Sequence, residues 1–220
     1  MQKEQRRIWV SGILAVTAVT GAVLWNGGQR SANAAIIGQG NLTAAEQNAI
    51  FTRAQNFALT LNSSFRSVGS NRRRPRLALA FVSRDGRLQN TFDMPDTWTG
   101  ADDLAIGKAR TAAFFSSNEN ALTSRVVGQL SQAHDPKTGE GPAGPFWGIW
   151  STNQPGVVFN GAVRNSVVTQ AGGVPIYRQG VLIGGVGVAG DNPDIDEQVA
   201  FQAITTFFPP ANIAVAGFPQ

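Results

Sequence analysis

The chain has 220 residues, enough for one domain of ordinary size, and no cysteine, which excludes disulfides, a thiolate nucleophile, cysteine-ligated zinc, iron–sulfur clusters and covalently attached c-type heme. The formal charge of +4 suggests an anionic partner, but four of the 18 basic residues (Lys3, Arg6, Arg7, Arg30) and one of the 14 acids (Glu4) lie in the first 34 positions, leaving 14 basic against 13 acidic residues. That near-neutral remainder lacks the concentrated basic surface that nucleic-acid binding needs.

Residues 1–34 have the layout of a secretory signal: Lys3, Arg6 and Arg7, an apolar run over 8–25, then Ala32-Asn33-Ala34 as a small-x-small cleavage site. Cleavage before Ala35 is expected. The alternative is an uncleaved anchor, because the apolar run has about the length of a minimal membrane span. Either way residues 35–220 are expected to be exported, periplasmic or secreted, with a membrane attachment only if the segment is uncleaved.

Thr43 and Glu46 form the capping box of a first helix, on which Ile50, Ala54, Phe57, Ala58, Leu61 and Phe65 make one apolar stripe. The basic run 72–76 falls in a loop; it has no interleaved aromatics and is too short for a nucleic-acid patch. Residues 77–82 form an apolar strand, Asp85-Gly86 marks a hairpin, and 87–92 return with Leu88, Asn90 and Phe92 on one face. Asp93 and Asp96 flank a proline turn and are read as turn and cap residues. A helix rich in Ala and Gly begins near 99–103 and runs through Lys108 and Thr111 to Phe115. Its small side chains admit a sheet, another helix or a flat ligand to its backbone. Residues 121–130 suggest a further short helix.

The pattern dissolves over 133–155, a Pro- and Gly-rich loop that nevertheless carries Phe146, Trp147 and Trp150. It packs back on its own sheet, covers a pocket or docks a partner through those aromatics. His134, the single histidine, lies here; a lone loop histidine is ordinarily solvated, with iron ligation the alternative. Residues 157–159 and 163–169 look like strand. The segment 172–200 then reads as a hairpin with a three-residue loop, Arg178-Gln179-Gly180, followed by a helix capped by Asp191 or Asn192. Pro193 sits in its first turn, and Asp194, Asp196 and Glu197 complement its dipole. The helix is expected to continue to Phe208. Gly184, Gly185, Gly187 and Gly190 weaken the second strand unless something packs closely on its backbone. The outline Gly185-x-Gly187-x-x-Gly190 does not read as a dinucleotide loop, because the acids that follow would repel a pyrophosphate. An enzyme finds little support: there is no Ser-His-Asp order, no H-E-x-x-H and no isolated carboxylate pair.

The D-G hairpin, Lys108-Ala109-Arg110-Thr111-Ala112, GGVPIYRQGVLIGGVGVAG over 172–190 and Asp196-Glu197 together resemble the GlcG/HbpS-like family. Its recurring pattern is VxDxxGxL, KAxTA, GGxPxxxxGxxxGxxGVxG and a DE before the last helix. The resemblance implies an α+β domain with an antiparallel sheet of about five strands flanked by helices, profilin- or PAS-like, and assembly into homo-oligomers. It also implies noncovalent heme binding in heme storage, transfer or sensing, with a membrane sensor or envelope protein as partner. In family members that bind heme, the threonine of the KAxTA helix faces the iron, here Thr111, with Lys108 one turn earlier. Met94 and Tyr177 complete the candidate ligand set. If the chain is an enzyme, heme degradation is the activity implied. The competing expectation is a cofactor-free interaction or scaffold subunit docking through Phe146, Trp147 and Trp150.

Overall fold

A computed structural model of the chain describes residues 40–68, 71–132, 144–146, 167–214 and 218. The chain divides into two units, Met1–Ile36 and Ile37–Gln220, and every described residue belongs to the second. The N-terminal signal, His134, Trp147, Trp150 and the strand expected over 157–159 lie outside the described residues. Of the strand expected over 163–169, only 167–169 are described, and they are not in a strand.

Helix α1 (Ala44–Ala58) opens on the expected capping box: the Glu46 amide donates to the Thr43 hydroxyl at 3.2 Å, and the Thr43 amide donates to the Glu46 carboxylate at 2.8 Å. The stripe ends earlier than expected. Ile50, Ala54 and Ala58 are buried, Leu61 packs on the core from beyond the helix, and Phe65 is exposed. The Ser63 hydroxyl accepts the amides of Phe65 and Arg66, a local side-chain turn that competes with helix continuation. A two-stranded ribbon, β1 (Ser67–Val68) and β2 (Asn71–Arg72), follows.

The main sheet is antiparallel in the order β4-β3-β6-β5, built from β3 (Ala78–Ser83), β4 (Leu88–Asp93), β5 (Gly173–Arg178) and β6 (Val181–Ala189). It has four strands among the described residues, against about five expected. The hairpin loop is tighter than expected. Arg178 pairs with Val181, so only Gln179 and Gly180 turn, with φ of 52° and 80°. Two successive positive φ values are what a two-residue loop needs to follow the twist of its strands. A register shift at Phe81/Val82 leaves Leu88 exposed, off the face that Asn90 and Phe92 turn toward α1.

Helices α1 and α4 (Pro193–Ala203) pack on one face of the sheet against Leu79, Phe81, Val174, Ile176, Val186 and Val188. Helix α2 (Ala101–Phe115) covers the other face, meeting Ala78, Ala80 and Ala189 through its own alanines. Alternation in β6 explains its glycines: Val186 and Val188 face α1 and α4, and Gly185 and Gly187 face α2. A Cβ on Gly187 would come within 1.9 Å of the Ala105 carbonyl oxygen and 2.7 Å of the Ala109 nitrogen. The strand therefore tolerates its glycines because a helix backbone lies on them. Helix α3 (Ser124–Leu130) is capped by Thr123 and is shorter than the 121–130 expected. Helix α4 takes Asn192, of the two expected caps, as its N-cap and ends at Ala203, short of Phe208.

Gly187→Ala is expected to cost about 3 kcal/mol or more, because the atoms in the way are helix backbone and cannot rotate aside. A urea midpoint unchanged from wild type would show that α2 does not sit on β6 this closely.

Candidate functional site

Lys108 falls on the buried face of α2, at helical spacing from Ala101, Ala105 and Ala112, in surroundings too apolar for a lone ammonium. Its Nζ lies 2.7 Å from Asp196 Oδ2 and donates to the Val188 carbonyl at 3.1 Å, with side-chain exposures of 0% for Lys108 and 1% for Asp196. The other Asp196 oxygen accepts the Asp191 amide at 3.0 Å. The Asp191 carboxylate in turn accepts the Ser63 hydroxyl and, at 2.8 Å, the Ser64 amide. One buried chain of charge and hydrogen bonds thus joins α2, the start of α4 and the turn after α1. Burial pushes the Asp196 carboxyl up to about 6 and lowers Lys108, while the attraction between the two opposes both shifts.

Gly172 is part of the same arrangement. Its φ of 121° belongs to glycine, and a Cβ there would meet the Val188 oxygen at 2.5 Å, Asp196 Cβ at 3.0 Å and Lys108 Nζ at 3.1 Å. Arg125 of α3 ties the region from outside, with Nε 2.6 Å from Glu197 of α4.

Thr111, one turn beyond Lys108, is fully buried. Its hydroxyl accepts the Val168 amide at 2.8 Å, and its single proton can go to the Val168 or the Gly107 carbonyl, each 2.9 Å away. Residues 167–170 thus lie across α2, and the Ser124 hydroxyl pins their far end, donating to Gln170 O at 2.6 Å and accepting the Gly173 amide at 2.8 Å.

The other candidates lie elsewhere. Met94 is buried in the core formed with α1 and α4, on the opposite side of the sheet from Thr111. Tyr177 is buried, its hydroxyl donates to Ser117 O at 2.7 Å, and burial pushes its pKa up to about 12. Phe146 packs against Phe115, ring centroids 5.0 Å apart, and beside Leu122, Val126 and Val127. The structure brings Lys108 and Thr111 together and leaves Met94 and Tyr177 apart. In the arrangement seen, the four side chains do not fit a heme: the Lys108, Thr111 and Tyr177 polar atoms are committed to protein partners, and Met94 is enclosed in the core.

Sequence reasoning took Asp196 as a helix-dipole acid and did not single out Val168 or Ser124. The signal for Asp196 was present in Lys108 itself, a lysine on an alanine stripe that needs a buried acid. Among the described residues there is no group of three His, Asp or Glu able to hold a metal ion, and no helix is long and apolar enough to cross a membrane.

A family model described as haem degrading protein HbpS-like matches residues 56–205. The chain belongs to this family. The HbpS-like chain is also 28% identical over 128 residues to the corrinoid adenosyltransferase PduO of Citrobacter freundii, a match covering 58% of this chain and 31% of that protein. The match thus spans about a third of the curated relative. Among solved structures, a PduOC–heme complex shares the fold at TM-score 0.53 and 23% identity, over 76% of this chain and 94% of that one. Klebsiella pneumoniae protein ORFY shares it at TM-score 0.50 and 17% identity, over 74% and 88%.

Lys108→Met should cost about 3–5 kcal/mol near neutral pH, since it leaves Asp196 charged, buried and unpaired. The folded chain holds the Asp196 proton up to about pH 6, whereas an ordinary aspartate releases it near 3.8. The stability from that proton is therefore complete below the ordinary value and is lost as pH rises through the folded one. Urea midpoints should show a smaller penalty for Lys108→Met at about pH 5 than at about pH 7.5, because losing Lys108 raises the buried carboxyl further and the cost of keeping it protonated grows with pH. Equal penalties at both would mean that Asp196 is not the group left exposed to the change.

Proposed function

We propose that this chain is an exported, noncovalent heme-binding protein that stores, transfers or senses heme. The observation that carries the reading is the HbpS-like family match, which spans most of the folded unit. The likeness to a PduOC–heme complex supports the same reading at the level of the fold. Without cysteine, the heme would be held without a thioether link.

Thr111 is the proposed iron-side residue. It lies under a surface segment, whereas Met94 and Tyr177 are held within the packed interior and Lys108 is neutralised by Asp196. What the chain contributes is a hydroxyl on an alanine-rich helix, buried beneath residues 167–170. Homo-oligomeric assembly and a membrane sensor or envelope partner belong to the same proposal, as does export directed by residues 1–34.

Hemin titration of the purified protein, followed by the Soret band and by the mass of the species in solution, tests this reading. Saturation near one heme per subunit or per subunit pair is expected, weakened about tenfold in Thr111→Ala. No binding by the folded protein would remove the proposal. Saturable binding untouched by Thr111→Ala would keep heme and discard the site. Loss of the Soret band on adding a reductant would make the chain a heme-degrading enzyme rather than a carrier.

A further inference from the structure

We infer that the exposed surface around Phe65 and Trp98 is an interface at which a second copy of this chain docks, related to the first by a two-fold axis. The inference does not need heme. It shares with the proposed function only the expectation of self-assembly, to which it gives a surface and a symmetry.

The basic run 72–76 has no aromatics of its own, and the fold supplies them. The Ser63 amide donates to the Arg73 carbonyl at 2.8 Å and the Arg73 amide to the Arg66 carbonyl at 2.9 Å, so the run lies alongside the turn that carries Phe65. Arg66 reaches across to the turn after β4, pairing with the Asp96 carboxylate and donating to the Asp96 carbonyl at 3.0 Å. Trp98 follows two residues later, just before α2 begins. Phe65 is 69% exposed and Trp98 48%, and they are the two exposed aromatics among the described residues. Exposed aromatic rings beside arginines are the composition of interface centres rather than of ordinary surface.

Charge decides the occupant. Residues 66–74 bring Arg66, Arg73 and Arg74 to the Arg66–Asp96 contact from one side, and residues 93–102 bring Asp93, Asp96 and Asp102 from the other. A nucleic acid or an anionic membrane would gain from the first half and lose to the second. A second copy turned by 180° about the contact sets each basic half on the other copy's acidic half, and an isologous interface makes every such contact twice. Both halves hold charge that the protomer leaves unmatched: Arg73, Asp93 and Asp102 join no ion pair among the described residues. Burial, and then the charge of Asp102, hold the Asp93 carboxyl above its ordinary value, so an arginine from the second copy would relieve it.

The test measures the mass of the purified protein in solution, in wild type and in two charge-reversed forms, Arg73→Glu with Arg74→Glu and Asp93→Arg with Asp102→Arg. Wild type should exceed one subunit. Each reversed form should self-associate about tenfold more weakly. An equimolar mixture of the two should regain the wild-type mass, because every contact between them is again between opposite charges. Folded reversed forms that keep the wild-type mass would overturn the surface and leave self-assembly in place. A wild type that is monomeric at every concentration would overturn both, with hemin titration still deciding the heme reading. Should that monomer sediment with phosphatidylglycerol vesicles, and the Arg73→Glu, Arg74→Glu form not, the occupant is an anionic membrane and the second copy is excluded. If a reversed form does not fold, Phe65→Ser, at a side chain the fold leaves exposed, takes its place: weaker self-association supports the interface and an unchanged mass overturns it.

Discussion

The structure depends on one buried ion pair. Lys108 and Asp196 sit on helices that cover opposite faces of the sheet, and their contact passes around the end of the sheet where β6 finishes and β5 begins. Neither charge could be held there alone. The pair is completed by the Val188 carbonyl and the Asp191 amide, and Asp191 extends it to Ser63. Such a pair adds little net stability over an apolar replacement of the same shape, but losing one member is costly. Its structural effect is to set where three elements meet, and it explains why Gly172 stands beside it, since a side chain there would collide with both partners.

The second constraint is the closeness of α2 to the sheet and to residues 167–170. Gly185 and Gly187 let the helix backbone rest on β6, and the alanines of α2 complete the contact. The same economy of side chains on α2 leaves a notch at Gly107 beside Thr111. In the folded chain that notch is filled by Val168 rather than left open to solvent. Small residues on this helix therefore serve two surfaces, one against the sheet and one against residues 167–170.

Much of this was legible in the residues. The capping box at Thr43, the Asp85-Gly86 hairpin, the boundaries of α2 and the hairpin before α4 all rest on contacts within a few positions along the chain, and local chemistry decides those. The glycines of β6 correctly announced a close backbone neighbour. The sequence also supported family membership through the motif at 172–190. It was less informative where an element stops: α1 ends before Phe65 because Ser63 offers its hydroxyl to nearby amides and to Asp191, and the second of these partners is remote in sequence.

The sequence by itself determined the capping box at Thr43, the segments of α2 and of the two hairpins, that no thiol chemistry is available, and that Thr111 and Lys108 lie one helical turn apart. Only the tertiary structure decided what those two side chains touch. Asp196 is 88 residues from Lys108 and Val168 is 57 from Thr111, so no local spacing could pair them. The physical reason is that burial selects partners by proximity in space: an enclosed ammonium needs a carboxylate and an enclosed hydroxyl needs a donor and an acceptor. Which groups answer those needs is settled by how the helices and the sheet pack.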